Sequence, residues 1–198
     1  MNHLRPAIVM IVLFTALTGI AYPLALTGIA ALLFPWQAGG EMISHDGRIV
    51  GSALIGQNFA SARYFQPRPS ATSAPDPNDA SKTVDAPYNA SNSGGSNLGP
   101  TSKALIDRVS AALEAKRQAG WTVTLPADAL TTSASGLDPH ISPENALLQA
   151  TDVAKARGLD AEKVRALVQT HVENPWLGVI GEKRVNVLLL NLALDDLT

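Results

Sequence analysis

Residues 6–40 read PAIVMIVLFTALTGIAYPLALTGIAALLFPWQAGG, with no Asp, Glu, Lys or Arg anywhere in the run. Arg5 stands just before it and Glu41 just after it. A soluble core helix does not need so long an apolar stretch. A bilayer core of about 30 Å takes about 20 apolar residues at about 1.5 Å each. Ala7 to Phe34 is therefore long enough to cross with some tilt. This splits the chain into a short amino-terminal segment (1–6), a membrane helix (7–34) and a polar domain (35–198).

Before the apolar run stand only Arg5, His3 and the amino terminus. Positive charge stays cytoplasmic, so the amino terminus is expected inside and the domain outside, in a periplasm. Trp36 suits the outer headgroup region. The rival reading is a cleaved signal peptide, with Ala16 or Ala21 in a small-residue cleavage site. Signal cores hold about 7–15 apolar residues, and this run is about twice that.

The helix has no ionisable side chain except Tyr22. Intramembrane acids and bases mark ion pathways, so this helix alone is not expected to conduct an ion. Thr15 and Gly19, Ala21 and Ala25, and Thr27 and Ala31 sit at helical spacing. They could form a seam against another helix or be ordinary membrane content. Pro23 removes one backbone hydrogen bond and predicts a kink.

Setting Arg5 aside leaves 14 basic against 17 acidic residues in the outer part. That balance argues against nucleic acid or an anionic membrane surface as partners. There is no cysteine, so disulfides and thiolate metal sites are excluded. His140 and His171 lack a third ligand at metal spacing, and no metal site is expected.

Asp46-Gly47 between short apolar runs predicts a hairpin over 42–50. Residues 51–59 continue as an extended segment. Residues 63–100, with six prolines, read as a long irregular segment punctuated by Tyr64, Phe65 and Tyr88. A helix is predicted over 102–118, capped by Thr101, with Leu105, Val109, Ala112 and Leu113 inward and Gly120 at its end. Trp121 to Leu125 alternates like a strand, and 130–141 is loop-like. Ser142, Pro143 and Glu144 open a second helix that ends near Gly158. Asp160 caps a third, with Val164, Leu167 and Val168 inward. Val185 to Leu194 reads as a strand buried on both faces. The class is α+β: a single transmembrane helix followed by one mixed extracytoplasmic domain.

The frame Gly94 to Gly99 has phosphate-loop spacing, but Pro100 stands where the lysine must be and no buried strand precedes it. A glycine turn before a helix explains it better. Asp138, His140 and Ser142, with Ser133 and Ser135 nearby, suggest a hydrolase. Residues so close in a proline-containing loop rarely reach triad geometry, and there is no G-x-S-x-G. A turn at Asp138 and a cap at Ser142 explain them structurally. Glu182, Lys183 and Arg184 form either a solvated turn or a polar partner contact.

A set of ordered blocks spreads over the chain: Gly51-Ser52, Leu54 to Gln57, Phe59, Tyr64-Phe65 and Arg68 to Ala71. Further blocks are Tyr88-Asn89, Ser93 to Pro100 and Ser135 to Pro143. The last are Gly178, Gly181-Glu182, Arg184 to Val187 and Asn191 to Asp195. Together with the single amino-terminal span, these blocks resemble the KdpC family of potassium-transporting ATPase subunits. Thr132 to Ala134 and Lys183 depart slightly from the pattern.

The resemblance implies a non-catalytic accessory subunit of a four-subunit, ATP-driven, high-affinity potassium uptake complex in the bacterial inner membrane. Its partners would be a channel-like potassium-binding subunit, a P-type ATPase subunit, a small single-span subunit and membrane lipid. The family is described as a catalytic chaperone that raises the pump's ATP affinity. That role would place a nucleotide contact on Gln149, with ATP reached through the complex and no tightly bound cofactor. Direct ATP contact and an extracytoplasmic domain pull against each other, because ATP is cytoplasmic. This chain has no Asp-Lys-Thr-Gly motif and too few spans for a channel. The candidate partner-interface residues are Thr15, Gly19, Tyr64, Phe65, Arg68, Ser93, Gly94 and Gly95. The alternatives are a membrane-anchored periplasmic hydrolase and a purely structural lid over the channel subunit.

Overall fold

The computed structural model describes residues 3–197. Met1 and Asn2 of the amino-terminal segment, and Thr198, lie outside the described residues. The chain divides into two compact units, Met1–Ser52 and Ala53–Thr198.

The first unit is dominated by one continuous apolar helix, Leu4–Leu33, none of whose central side chains is covered by the rest of the chain. It comprises α1 (Leu4–Ala16), a π-helical turn (Leu17–Ala21) and α2 (Tyr22–Leu33). The π turn has a local cause. Pro23 offers no N–H, and its ring crowds the carbonyl four residues back. The ladder widens just before it, and the Tyr22 N–H reaches the Leu17 carbonyl. The interruption expected at Pro23 therefore takes this form. Two hydroxyls fold back onto the helix: Thr18 Oγ1 donates to the Phe14 carbonyl (2.7 Å) and Thr27 Oγ1 to the Pro23 carbonyl (2.9 Å). These two hydroxyls are thus satisfied without water, as suits a lipid-facing segment.

Phe34 leaves the helical region, and α3 (Pro35–Ala38) carries Trp36. Then β1 (Met42–His45) and β2 (Arg48–Ser52) pair antiparallel, with a bulge between Ile43 and Ser44. Asp46 and Gly47 both take positive φ (50° and 74°), the geometry of the two-residue turn expected there.

The second unit contains the core. β3 (Ser73–Asp76) and β4 (Asp79–Asp85) form a polar hairpin inside the segment expected to be irregular. Its sequence lacks apolar alternation, and Pro75 sits on a strand of a two-stranded sheet, where an edge position tolerates proline. Next come α4 (Lys103–Gln118), a 3₁₀ turn (Ala127–Ala129), β5 (His140–Ile141), α5 (Pro143–Arg157) and α6 (Ala161–Thr170). The chain ends with β6 (Val172–Glu173), β7 (Arg184–Asn186) and α7 (Val187–Asp195). β7 lies between β5 and β6, antiparallel to both. Phe65, Ile141, Ala146, Ala150, Val153, Val164, Val168, Val185, Leu190 and Leu194 pack into one core.

The caps of α5 and α6 behave as expected. The Ser142 hydroxyl accepts from the Asn145 N–H, Pro143 starts α5, and Gly158 closes it in a left-handed conformation (φ 71°). Asp160 caps α6.

Three expectations are corrected. The run 185–194 is not a strand: β7 stops at Asn186, whose side chain accepts from the Leu189 N–H and starts a helix. Leucine is a good helix former, and a short run apolar on all sides carries no period to separate the two states. Residues 121–125 join no sheet. Trp121 is instead held by its indole N–H on Asp152 Oδ2 (3.3 Å) and by the Lys116 ammonium over its ring (4.5 Å to the centroid). Burial pushes the Lys116 pKa down, and Asp152 opposes that shift. Finally, the cap position of α4 is Ser102 rather than Thr101.

Candidate functional site

Of the named candidate residues of the second unit, Tyr64, Phe65 and Arg68 lie on one structure, the strap from Arg63 to Thr72, and Gln149 grips it. Two buried carboxamides grip successive peptide units of it. Asn191 Oδ1 accepts from the Phe65 N–H (2.8 Å), and its Nδ2 donates to the Phe65 carbonyl (3.0 Å). Gln149 does the same one residue on, accepting from the Gln66 N–H (2.7 Å) and donating to the Gln66 carbonyl (3.0 Å). An amide side chain has one acceptor and one donor face, so each satisfies an extended peptide group as a neighbouring strand would. Asn191 rises from α7 and Gln149 from α5.

Gln149 Nε2 also donates to Asn145 Oδ1 (3.1 Å). Asn145 Nδ2 donates to Asp128 Oδ2 (3.0 Å), and Asp128 also receives the Ser142 N–H and hydroxyl. This chain of carboxamides and a carboxylate runs from the strap to the start of α5. Gln149, assigned to nucleotide contact by resemblance, is only 7% exposed and already makes three hydrogen bonds within the unit.

The near end of the strap is clamped by Arg157, whose side chain is 2% exposed. Its Nε donates to the Arg63 carbonyl (2.7 Å), and a terminal nitrogen pairs with Asp195 Oδ1 (2.6 Å). The guanidinium also lies over the Tyr64 ring (4.7 Å), and the Tyr64 hydroxyl donates to Asp195 Oδ2 (3.2 Å). Phe65 is 0% exposed. Its ring belongs to the core, so of this candidate pair only Tyr64 reaches the surface.

At the far end, Arg68 pairs with Asp138 (3.0 Å) and donates to the Thr132 carbonyl (3.4 Å). Burial alone would raise the Asp138 pKa. The hydrogen bonds from His140 and the charge of Arg68 outweigh burial and hold the carboxyl below its ordinary range. Tyr88 donates its hydroxyl to the Arg68 carbonyl (2.8 Å), and burial pushes its pKa well up. Ser70 Oγ donates to the Gly136 carbonyl (2.7 Å).

Ser93, Gly94 and Gly95 dock on the 133–136 loop. The Ser93 hydroxyl and the Gly94 N–H both donate to the Ser135 carbonyl (3.0 and 2.8 Å). A Cβ on Gly95 would stand 2.8 Å from the Ala134 carbonyl oxygen. Gly136 has φ 67°, and a Cβ there would meet Thr72 and the Gly94 carbonyl at 2.5 and 2.7 Å. These glycines let two backbones touch, a role the phosphate-loop spacing does not reveal.

The hydroxyls of the hydrolase alternative are used otherwise. Ser142 caps α5 and donates to Asp128 Oδ1, while Ser135 accepts from the Leu137 N–H. His140 Nδ1 lies 3.4 Å from Asp138 Oδ1, and among the described residues no serine hydroxyl hydrogen-bonds to it.

Arg68, Asp138 and His140 line an open groove of about 790 Å³ that continues past Glu144, Trp176 and Arg184. Arg184 pairs with Glu173 (2.8 Å) on its wall. With both charge signs on its walls, the groove is not shaped for a single small anion.

In the helical unit, Thr15 and Gly19 share a face, since a Cβ on Gly19 would lie 3.9 Å from Thr15 Cγ2. Residue patterns pointed to neither Asn191 nor Arg157 as a holder of the strap. The signal was there for Asn191, a lone carboxamide among leucines, because a buried amide must be paired.

The family model described as K+-transporting ATPase, c chain, matches residues 4–196. A Methylobacterium nodulans protein named potassium-transporting ATPase KdpC subunit is 59% identical over 197 residues, covering 100% of this chain and 98% of its own length. The protein of that name from Bradyrhizobium diazoefficiens is 58% identical over 195 residues, covering 98% and 97%. One from Rhodopseudomonas palustris matches at 58% over the same shares. The match takes in the apolar helix, the strap and the two helices that grip it, α5 and α7, and the chain belongs to the KdpC family.

Proposed function

We propose that this chain is the accessory subunit of a high-affinity, ATP-driven potassium uptake complex, required for assembly and activity. The observation that carries this reading is the match from residue 4 to residue 196 to a family of potassium-transporting ATPase subunits. The apolar helix adds support. It is one span long and free of acids and bases within the lipid-facing run, so ion passage falls to another chain. Its partners are then a channel-like potassium-binding subunit, the P-type ATPase subunit that hydrolyses ATP, and a small single-span subunit. The chain itself is non-catalytic and lacks the Asp-Lys-Thr-Gly sequence of a phosphorylated pump.

In this reading the amino terminus is cytoplasmic and the Ala53–Thr198 unit lies outside the inner membrane, over the potassium entrance. The Thr15–Gly19 face packs against a partner helix. Raising the ATP affinity of the pump belongs to the same role. Because Gln149 is occupied by Gln66 and Asn145, we place that effect in how the chain shapes the complex rather than in a direct nucleotide contact.

Deleting the gene for this chain, with the other subunits still expressed, is expected to abolish growth at micromolar external potassium, and plasmid-borne wild type to restore it. Undiminished growth there, with no other high-affinity uptake system present, contradicts the proposal.

A further inference from the structure

The connection from β6 to β7, which walls one side of the groove, carries an apolar tip that the strap leaves unexplained. Past the Glu173–Arg184 pair, the chain closes a second time. The Trp176 N–H donates to the Ile180 carbonyl and the Ile180 N–H to the Trp176 carbonyl, both at 3.0 Å. Leu177 and Gly178 turn the corner with positive φ (52° and 76°). The tip is therefore a preformed turn. Residues 174–180, NPWLGVI, contain no ionisable group. Trp176, Leu177, Val179 and Ile180 are 68, 74, 81 and 58% exposed. Single exposed apolar residues are ordinary, but four within five positions on one projecting turn mark a contact surface.

We propose that this tip inserts into the headgroup region of a lipid bilayer. The proposal rests on the reading of Leu4–Leu33 as a membrane span. Only 19 residues, Phe34 to Ser52, separate the end of that helix from the unit that carries the tip. The tether thus keeps a lipid surface at high effective concentration for the unit as a whole, and weak insertion suffices. The chemistry fits lipid: an indole, which favours the interface, beside three aliphatic side chains that favour the acyl boundary. Behind the apolar turn stands a collar of Glu173, Glu182, Lys183 and Arg184, two acids and two bases. A neutral collar matches zwitterionic headgroups and makes no demand for anionic lipid. A specific protein interface carries about one hydrogen bond per 100–200 Å², and beyond Asn174 the tip offers only one polar side-chain group, the Trp176 indole N–H.

The chain has no cysteine, so Val179→Cys introduces a unique thiol for a nitroxide label. The full chain is placed in phosphatidylcholine nanodiscs, and label accessibility to oxygen is compared with that to a water-soluble nickel chelate. Glu114→Cys, on the exposed side of α4, is the control. The expected result is an oxygen-to-nickel ratio several-fold higher at 179 than at 114, reproduced with Leu177→Cys. Equal ratios at 179 and 114, in a chain held by the nanodisc, overturn the insertion and leave the span intact. Protection from both reagents that arises only with the other subunits present also overturns it, in favour of a protein contact. Failure of the chain to enter nanodiscs overturns the span and the insertion together.

Discussion

Phe65→Ala is expected to cost the Ala53–Thr198 unit about 3–5 kcal/mol, the range for removing a fully buried aromatic ring. The ring is wholly enclosed in the core that α5, α6 and α7 share. Its backbone stays fixed by Asn191 on both sides, so the strap cannot move in to fill the void. Chemical unfolding of the full chain in detergent measures the loss. A change below about 1 kcal/mol together with a lost partner contact would return Phe65 to the surface role its place in the sequence suggests.

Gln149→Ala is the second large effect. It strips both hydrogen bonds from the Gln66 peptide group and one from Asn145. Each buried group left without a partner costs about 1–3 kcal/mol. Gln66 is half-buried and water can recover part of that, so a total of roughly 2–4 kcal/mol is expected. The measurement is the same unfolding experiment, paired with the ATP dependence of the assembled complex. Here the stability loss comes first, and any change in ATP affinity follows from a loosened strap. Full stability with a raised KM for ATP would instead place the Gln149 amide on the nucleotide.

The two variants also show what the sequence makes legible. Signals whose cause lies within a few residues can be read directly: the charge-free run after Arg5, the Asp46-Gly47 turn, the Ser142 and Asp160 caps, and the Gly158 stop. The turn, the caps and the stop are local backbone requirements met by local residue types, and the run is a plain count of apolar residues. The strap is different. Gln66 and Gln149 are 83 positions apart, and Phe65 and Asn191 are 126 apart. No period or motif spacing connects them, and either carboxamide alone reads as an ordinary polar residue. Family resemblance marked these blocks as important without saying why. The geometry shows that many of them hold one backbone segment in place.

The boundary at Asn186 was illegible for another reason. Val185, Val187 and Leu188 to Leu190 are apolar on every side, so neither the strand nor the helix period stands out. Only the Asn186 cap separates the two states, and it lies inside a run with no turn signal. The β3–β4 hairpin is not legible because its residues are polar and include proline, whereas hairpins announce themselves by apolar alternation.

The most direct test of the central claim is copurification. The tagged full chain is extracted in mild detergent from its own membranes, and the proteins that come with it are identified and assayed. A multispan potassium-binding subunit, a P-type ATPase subunit and potassium-stimulated ATP hydrolysis should all come through together. A chain that purifies alone, from membranes in which those subunits are present and active, would contradict the account.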